Sequence, residues 1–442
     1  MILHCDGCSG ARESGLRLHP AISMFMAESV SVECRSIKGD GSMKRRLFGF
    51  SALVPLVAAL AFSGAAPAQA VNGHANYRAV CPSPVSGHAR CLSKVITDAR
   101  GNPLATSGPT GFGPAQFHGG YNLPTTGPAG QTIAIVDAYN DPTVKADLDT
   151  YDSTYGLPAF PSCGGGVSTA CFQKVNQTGG TAYPKTDPGW ALEIALDVET
   201  AHEICQNCKI LLVEATSNSF ANLATAVNTA ARLGATAISN SYGGPESSST
   251  NGGAYDHPGI AVTASSGDNG YGVETPAAYN TVVAVGGTTL KLTASNAYSN
   301  ESAWSGAGSG CSAYFSARSW QTSTAGWSAT ACGNRRGVAD VAADADPASG
   351  ASVYDSTRYQ GRLGWFKVGG TSLSSPLIAA VYGLAGNAST ASYPASIPYA
   401  HTSSLHDVTT GSNGTCSTTM CKGAPGYDGP TGVGTPKGIT GF

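Results

Sequence analysis

WALEIALDVETAHEICQNCKILLVEA, residues 190 to 215, carries two different apolar periods in one short stretch. Leu192, Ala195, Leu196 and Ile204 recur at helical spacing, so residues 190 to 204 are expected to form a helix, whereas KILLVEA (209 to 215) is an apolar run of strand type. Upstream, QTIAIVDAY (131 to 139) is a second strand-like run. Downstream, the helical LATAVNTAARLG (223 to 234) is followed by the strand-like TAISNSY (236 to 242), GIAVTASSG (259 to 267) and TVVAVGG (281 to 287), then by the helical SSPLIAAVYGLAG (374 to 386). Strands interleaved with helices imply an α/β fold: a parallel sheet with helices on both faces and functional groups at the carboxyl ends of the strands. One domain, residues 129 to 442, accommodates the whole alternation.

The remaining residues read differently. Residues 71 to 128 are rich in Gly, Pro and polar side chains and read as an N-terminal arm. Before them, Lys44, Arg45 and Arg46 precede an apolar run from Leu47 to Ala61 and the small-residue site Ala68-Gln69-Ala70, the pattern of a signal peptide spanning 43 to 70. A membrane anchor is the weaker reading, since Pro55 and Gly64 interrupt a run already short for a span. Residues 1 to 42 are expected to be an upstream extension, with Met43 the start. The chain is therefore expected to be secreted and extracellular, with no membrane association after cleavage.

Charged residues make up 12% of the chain, and 57 of its 442 residues are Gly, which points to a loop-rich surface of small neutral side chains. Without residues 1 to 70 there remain 18 basic and 23 acidic residues, a balance with no surplus for nucleic acid. Of 13 cysteines, Cys5, Cys8 and Cys34 precede the cleavage site and ten follow it. An even ten in an exported chain permits five disulfides, and proximity suggests Cys81 with Cys91, Cys163 with Cys171, Cys205 with Cys208, Cys311 with Cys332, and Cys416 with Cys421. The Cys205/Cys208 CxxC has a redox or zinc alternative, but no second CxxC or nearby His completes a tetrahedral site.

GGTSLSSP (369 to 376) sets Ser372 among small residues at the opening of an apolar helix, where oriented backbone N–H groups meet a hydroxyl. Two readings stand: a nucleophile, or a helix cap with turn glycines. A nucleophilic serine needs a base. No histidine sits in an HGT-like segment; His118 lies in the arm and His202 in AHEIC. Glu193 and Asp197, four residues apart, share a helix face instead, and two carboxyls so placed either share a proton or form a solvated acidic face. In SSGDNG (265 to 270), Asp268 follows a strand. It either donates to an oxyanion when protonated, which requires an acidic medium, or serves the turn beside Asn269 and Gly270.

Taken together these residues resemble the sedolisins, the serine-carboxyl peptidases, a family with a subtilisin-like fold in which Ser, Glu and Asp replace Ser, His and Asp. The resemblance spans about residues 112 to 442 and includes FGPAQFHGGYNLP (112 to 124), ISNSYGG (238 to 244), ESAWSGAGSGCSAYF (301 to 315) and RGVADVAADADP (336 to 347). It implies a single catalytic domain that hydrolyses protein or peptide substrates at acidic pH as a monomer. Ser372 would be the nucleophile, Glu193 its general base and acid, Asp197 the group that orients Glu193, and Asp268 the oxyanion-hole acid.

The resemblance also implies one structural calcium ion held by Asp407, the Val408 carbonyl, the carbonyls of Ala424 and Gly426, and Asp428; hard oxygen donors suit such a cation. Ala424 stands where the family more often has Gly, a change that ligation through a carbonyl tolerates. Asp137 falls where some relatives have a Glu supporting the catalytic Asp, and a structural strand-end Asp is the alternative. Family members usually carry a long folded prosegment, whereas residues 71 to 128 would form only a reduced one. A non-catalytic binding protein on the same fold is the competing reading, and a neutral subtilisin is disfavoured by the missing histidine.

Overall fold

Thr132–Ala138, a run of apolar and β-branched residues closed by Asp137 and Ala138, forms a strand buried along its entire length. It anchors an eight-stranded sheet in the computed structural model, which describes residues 76–164, 170–248 and 250–442. The expected extension and signal peptide, with Cys5, Cys8 and Cys34, lie outside the described residues. In chain order the strands of this sheet are β1 (Thr132–Ala138), β2 (Phe172–Asn176), β3 (Lys209–Ala215), β4 (Ala237–Asn240), β5 (Ala261–Ser265), β6 (Val283–Leu292), β7 (Tyr298–Ala303) and β8 (Val341–Asp344).

Their spatial order is β2-β3-β1-β4-β5-β6, all parallel, with β8 parallel and β7 antiparallel alongside β6. The direction of winding reverses at β1, which lies between β3 and β4, so a crevice opens at their carboxyl ends. The antiparallel β7 was not evident in the sequence, where TVVAVGG ended at Gly287; β6 continues to Leu292 and turns back through Thr293 to Ala297.

Five helices matter for the crevice: α1 (Pro114–Tyr121), α2 (Val144–Tyr155), α3 (Pro188–Ile204), α4 (Phe220–Arg232) and α5 (Thr371–Ala385). Helix α3 begins where the Asp187 side chain accepts from the Gly189 and Trp190 N–H groups, with Pro188 in the first turn. It packs against α5, α2, β1 and the strand Ala351–Tyr359, and every residue from Trp190 to Ile204 is buried. Ile133, Ile135, Leu196, Leu212, Ile238 and Ile378 belong to one continuous core, each contributing on the order of 1.5–3 kcal/mol on burial.

A second, antiparallel sheet is built on the hairpin of Ala351–Tyr359 and Arg362–Gly369. The arm reaches it: Lys94–Ile96 pairs with Val368 and Gly369, and Tyr77–Ala79 pairs with Lys94–Ile96. From Gly369 the chain passes through Gly370 directly into α5. The five disulfides join Cys81–Cys91, Cys163–Cys171, Cys205–Cys208, Cys311–Cys332 and Cys416–Cys421, as proximity suggested. The CxxC is thus closed rather than poised for metal. Among the described residues no helix is long and apolar enough to cross a membrane.

Candidate active site

Ser372 lies in the first turn of α5, fully buried at the carboxyl ends of β4 and β5. Gly370, just before it, has φ of 101°, a region closed to most side chains, and an added Cβ would stand 2.6 Å from Asp268 Oδ2. Glycine is therefore required for the chain to enter the helix against the crevice. Pro376 falls in the helix interior rather than in its first turn, because α5 starts earlier than the sequence suggested. A proline has no N–H for the carbonyl four residues earlier, that of Ser372, and the Ser241 hydroxyl lies 3.3 Å from this carbonyl as a replacement donor.

The Ser372 hydroxyl donates to Glu193 Oε1 and also lies 3.1 Å from the Ser241 carbonyl oxygen. No histidine is among its partners. Glu193 and Asp197 are successive-turn residues on the α3 face toward α5, and both have no exposed surface. Burial raises both carboxyls well above their usual range. The charge of Asp137 adds to both, and Glu193 raises Asp197 further; the Ser372 hydroxyl favours the Glu193 anion. The solvated-face alternative is excluded for this pair.

Asp137, left open between two roles by the sequence, ends β1 beneath the pair. Its carboxyl is pushed up to about 8, first by burial and then by Glu214, its register partner on β3. Glu193 Oε2 and both oxygens of Asp137 and of Asp197 are buried without a donor in hydrogen-bonding geometry. Such carboxyls cannot all ionise together and titrate as a coupled set. Glu214 was missed. It accepts from the Asp141 N–H at 2.9 Å and pairs with Lys174 at 2.9 Å, which closes the buried row on its far side. The available signal was the matching ends of β1 (VDA) and β3 (VEA), apolar strands that each finish on a carboxyl.

Asp268 follows β5 and comes to the amino end of α5. Its Oδ1 accepts from the Thr371 N–H at 2.8 Å and the Thr371 hydroxyl at 2.9 Å, while Oδ2 is buried and unpartnered. Burial raises its carboxyl; Lys94 and Arg90, together with the Thr371 bonds, oppose the rise. Ser372, Glu193, Asp197 and Asp268 therefore meet in one crevice. A serine, a carboxyl positioned to take its proton and a second carboxyl with a free oxygen beside the helix N-terminus have the components for acyl transfer.

The five residues expected to hold calcium also come together, apart from this crevice. Asp407 Oδ2 accepts from the Gly426 N–H at 2.9 Å, and Asp428 accepts from the Ala424 N–H at 2.9 Å and from Thr431. Asp428 is fully buried and pushed up to about 8 by burial, with Asp407 adding to the rise. Asp407 and Asp428, brought to one loop, are hard oxygen donors of the kind a divalent cation takes. A separate group, Asp141, Asp147 and Asp355, has carboxylate oxygens within 4.8 Å of one another. Thr143 bridges the first two, its N–H donating to Asp141 and its hydroxyl to Asp147, and the Ser356 and Thr357 N–H groups serve Asp147 and Asp355.

The architecture and the site define an α/β protein of subtilisin-like topology whose serine faces carboxyls rather than an imidazole. Residues 167–415 match the model of the subtilase family. The chain is 27% identical to sedolisin of Pseudomonas sp. (strain 101) over 395 residues and 30% identical to kumamolisin of Bacillus sp. (strain MN-32) over 376 residues. These alignments cover 79% and 76% of the chain, and the chain spans 63% of the length of each relative. The solved structure of Pseudomonas sedolisin, a serine-carboxyl proteinase complexed with two molecules of pseudo-iodotyrostatin, superposes with a TM-score of 0.61 at 26% identity, covering 74% of this chain and 96% of that one. The chain belongs to the subtilase family and, within it, to the sedolisins.

Proposed function

We propose that the protein is a secreted serine-carboxyl endopeptidase that hydrolyses peptide bonds of protein or peptide substrates at acidic pH. The observation that carries this reading is the contact of the buried Ser372 hydroxyl with Glu193, in a crevice where no histidine reaches the serine. Ser372 Oγ attacks the substrate carbonyl carbon while its proton passes to Glu193. The resulting oxyanion is stabilised by the Ser372 N–H and by Asp268, whose Oδ2 donates when the carboxyl is protonated. Glu193 then delivers the proton to the leaving nitrogen, and in the second half-reaction it takes a proton from water as the acyl-enzyme is hydrolysed.

Asp197 and Asp137 act through Glu193. Packed against it in a water-poor space, they make full ionisation of the set costly, so one negative charge is distributed over several carboxyls and Glu193 can pick up and release a proton readily. As pH rises Asp268 ionises, stops donating and repels the oxyanion, which gives the alkaline limb. Asp407, Asp428 and the carbonyls of Val408, Ala424 and Gly426 would hold a calcium ion, whose role is to tie the C-terminal loops together without entering the reaction.

Purified protein and its Ser372→Ala variant, incubated across pH with denatured protein and a peptide library, test the assignment. Cleavage that peaks in the acid range and disappears in the variant is expected. An optimum at or above neutrality, or activity retained without the Ser372 hydroxyl, would refute it. Undetectable hydrolysis by a folded wild type at every pH would favour the non-catalytic binding protein.

A further inference from the structure

Away from the catalytic crevice, three carboxyls converge from three separate elements. Asp141 lies in the loop after β1, Asp147 in the first turn of α2 and Asp355 on the strand Ala351–Tyr359; all three are buried, and one oxygen of each lies within 4.8 Å of the others. Among the described residues none of the three forms an ion pair with Lys or Arg. Lys174 of β2 is taken up by the Asp141 main-chain carbonyl at 2.5 Å, the Asn140 side-chain oxygen at 2.6 Å and Glu214 at 2.9 Å.

The hydrogen bonds that reach this group leave part of it bare. The Thr143 N–H donates to Asp141 Oδ1 at 2.9 Å, the Thr143 hydroxyl to Asp147 Oδ2 at 2.6 Å, the Ser356 N–H to the same Asp147 oxygen at 3.1 Å, and the Thr357 N–H to Asp355 Oδ1 at 2.7 Å. No donor reaches Asp141 Oδ2 or Asp355 Oδ2, although both are buried. Glu199 on α3 adds an independent sign. It is 2% exposed, its Oε2 accepts from the Tyr354 N–H at 3.0 Å, and its Oε1 is buried without a donor. Burial raises its carboxyl well above the usual range against the Tyr354 bond, and the charges of Asp147 and Asp355 add to the rise, which places Glu199 against the same group. Buried carboxylate oxygens without donors are costly, and several together more so, unless a cation neutralises them.

We propose that Asp141, Asp147 and Asp355 hold a divalent cation, calcium, at a second site apart from the one expected at Asp407 and Asp428. The group is all oxygen and contains no Cys or His, which suits a hard cation and not zinc or copper. Calcium binds oxygens at about 2.3–2.6 Å, so ligands on opposite sides of it stand about 4.6–5.2 Å apart; oxygens within 4.8 Å of one another can share one such ion. The Thr143 and Thr357 hydroxyl oxygens, 2.9 Å from each other and the latter 3.2 Å from Asp141 Oδ1, supply neutral donors alongside. Magnesium, which demands a near-ideal octahedron and keeps several waters, suits a crowded set of fixed protein oxygens less well.

An ion there ties together the loop after β1, the start of α2 and the strand Ala351–Tyr359. Both α2 and that strand pack against α3, the helix that carries Glu193 and Asp197. The Asp141 N–H also donates to Glu214 at 2.9 Å, so the same loop braces the end of the buried carboxyl row. The ion acts as a clamp on the walls around α3 and takes no part in acyl transfer. The inference is independent of the serine-carboxyl reading, since the clamp forms equally in a non-catalytic protein of this fold.

The Ser372→Ala chain, stripped with chelator and returned to neutral buffer, is compared with the same chain carrying Asp355→Asn by equilibrium dialysis against calcium chloride. The first is expected to bind one more calcium ion per chain than the second, with a Kd of about 10⁻³ M or tighter, and Asp141→Asn is expected to reproduce the loss. Because the readout is a difference of one, it holds whether or not an ion binds at Asp428. Asn keeps the shape of Asp and removes a charge from a repelling group, so the metal-free Asp355→Asn chain is expected to melt no lower than its parent. Calcium at about a hundred times its Kd is expected to raise the melting temperature of the parent by several degrees and that of the variant by less. Equal calcium stoichiometry in parent and variants overturns the proposal, and equal stoichiometry with a lower metal-free melting temperature is the pattern of a purely structural carboxyl. Magnesium bound at the group as tightly as calcium overturns the choice of ion.

Discussion

Glu203 offers a stringent test of how this fold depends on protons. It sits on the last turn of α3, 1% exposed, with Oε2 accepting from the Tyr151 hydroxyl at 2.6 Å and Oε1 buried without a partner. Burial pushes its carboxyl from 4.5 up to about 8, against the opposing effect of the Tyr151 bond. In the unfolded chain it ionises near its ordinary value, so folding at pH 7 must restore the proton. Each unit between 4.5 and 7 costs about 1.36 kcal/mol, or roughly 3 kcal/mol in all. The sign follows: because the folded value is the higher one, stability is fully present below about pH 4.5 and is lost as pH rises toward about 8. Glu203→Gln keeps the shape and the acceptor for Tyr151 but has no proton to lose. In a Ser372→Ala background, which prevents self-digestion, urea unfolding is expected to show the variant about 3 kcal/mol more stable at pH 7 and nearly unchanged at pH 4. An equal effect at both pH values, or a loss of stability confined to pH 7, would mean that Glu203 is ionised in the fold and would refute the reasoning.

Asp268→Ala removes the donor at the oxyanion position, and kcat is expected to fall about 10²- to 10³-fold with KM little changed; Asp268→Asn keeps a donor but has no proton to titrate, so it is expected to lose less and to move the alkaline limb of the pH–rate profile upward. Excess chelator is expected to lower the melting temperature of the wild type and to leave Asp428→Ala, already destabilised, unaffected; differential scanning calorimetry reads both. Arg336→Met leaves Asp340 buried without the guanidinium that now donates to both its oxygens, and should cost about 3–5 kcal/mol in denaturant unfolding at neutral pH.

The helix and strand runs of the central sheet were legible in the sequence because each carries its own apolar period. Ser372, Glu193, Asp197 and Asp268 were legible as candidates, each with a bland alternative that only the resemblance to the sedolisins outweighed. Other features left no local mark. The burial of Glu199, His202 and Glu203 beside Glu193 contradicts the usual expectation that one face of a helix is wet. It arises because α2, α5, β1 and the strand Ala351–Tyr359 enclose α3 from several directions, and none of these lies near it in sequence.

The arm makes the same point. Residues 76 to 106 have no sustained apolar period because much of their pairing is with backbone edges and a catalytic crevice far away in the chain, and hydrogen bonds to main-chain groups leave little trace in side-chain pattern. The sequence by itself determined the alternation that makes the sheet, the short-range disulfides, and the candidates for acyl-transfer chemistry; these depend on local period, proximity and residue type. Only the tertiary structure decided that Asp137 and Glu214 extend the carboxyl set, that Asp268 keeps one oxygen free, and that Asp141, Asp147 and Asp355 converge, since each depends on where β1, β3, β5, α2, α5 and the strand Ala351–Tyr359 meet in space.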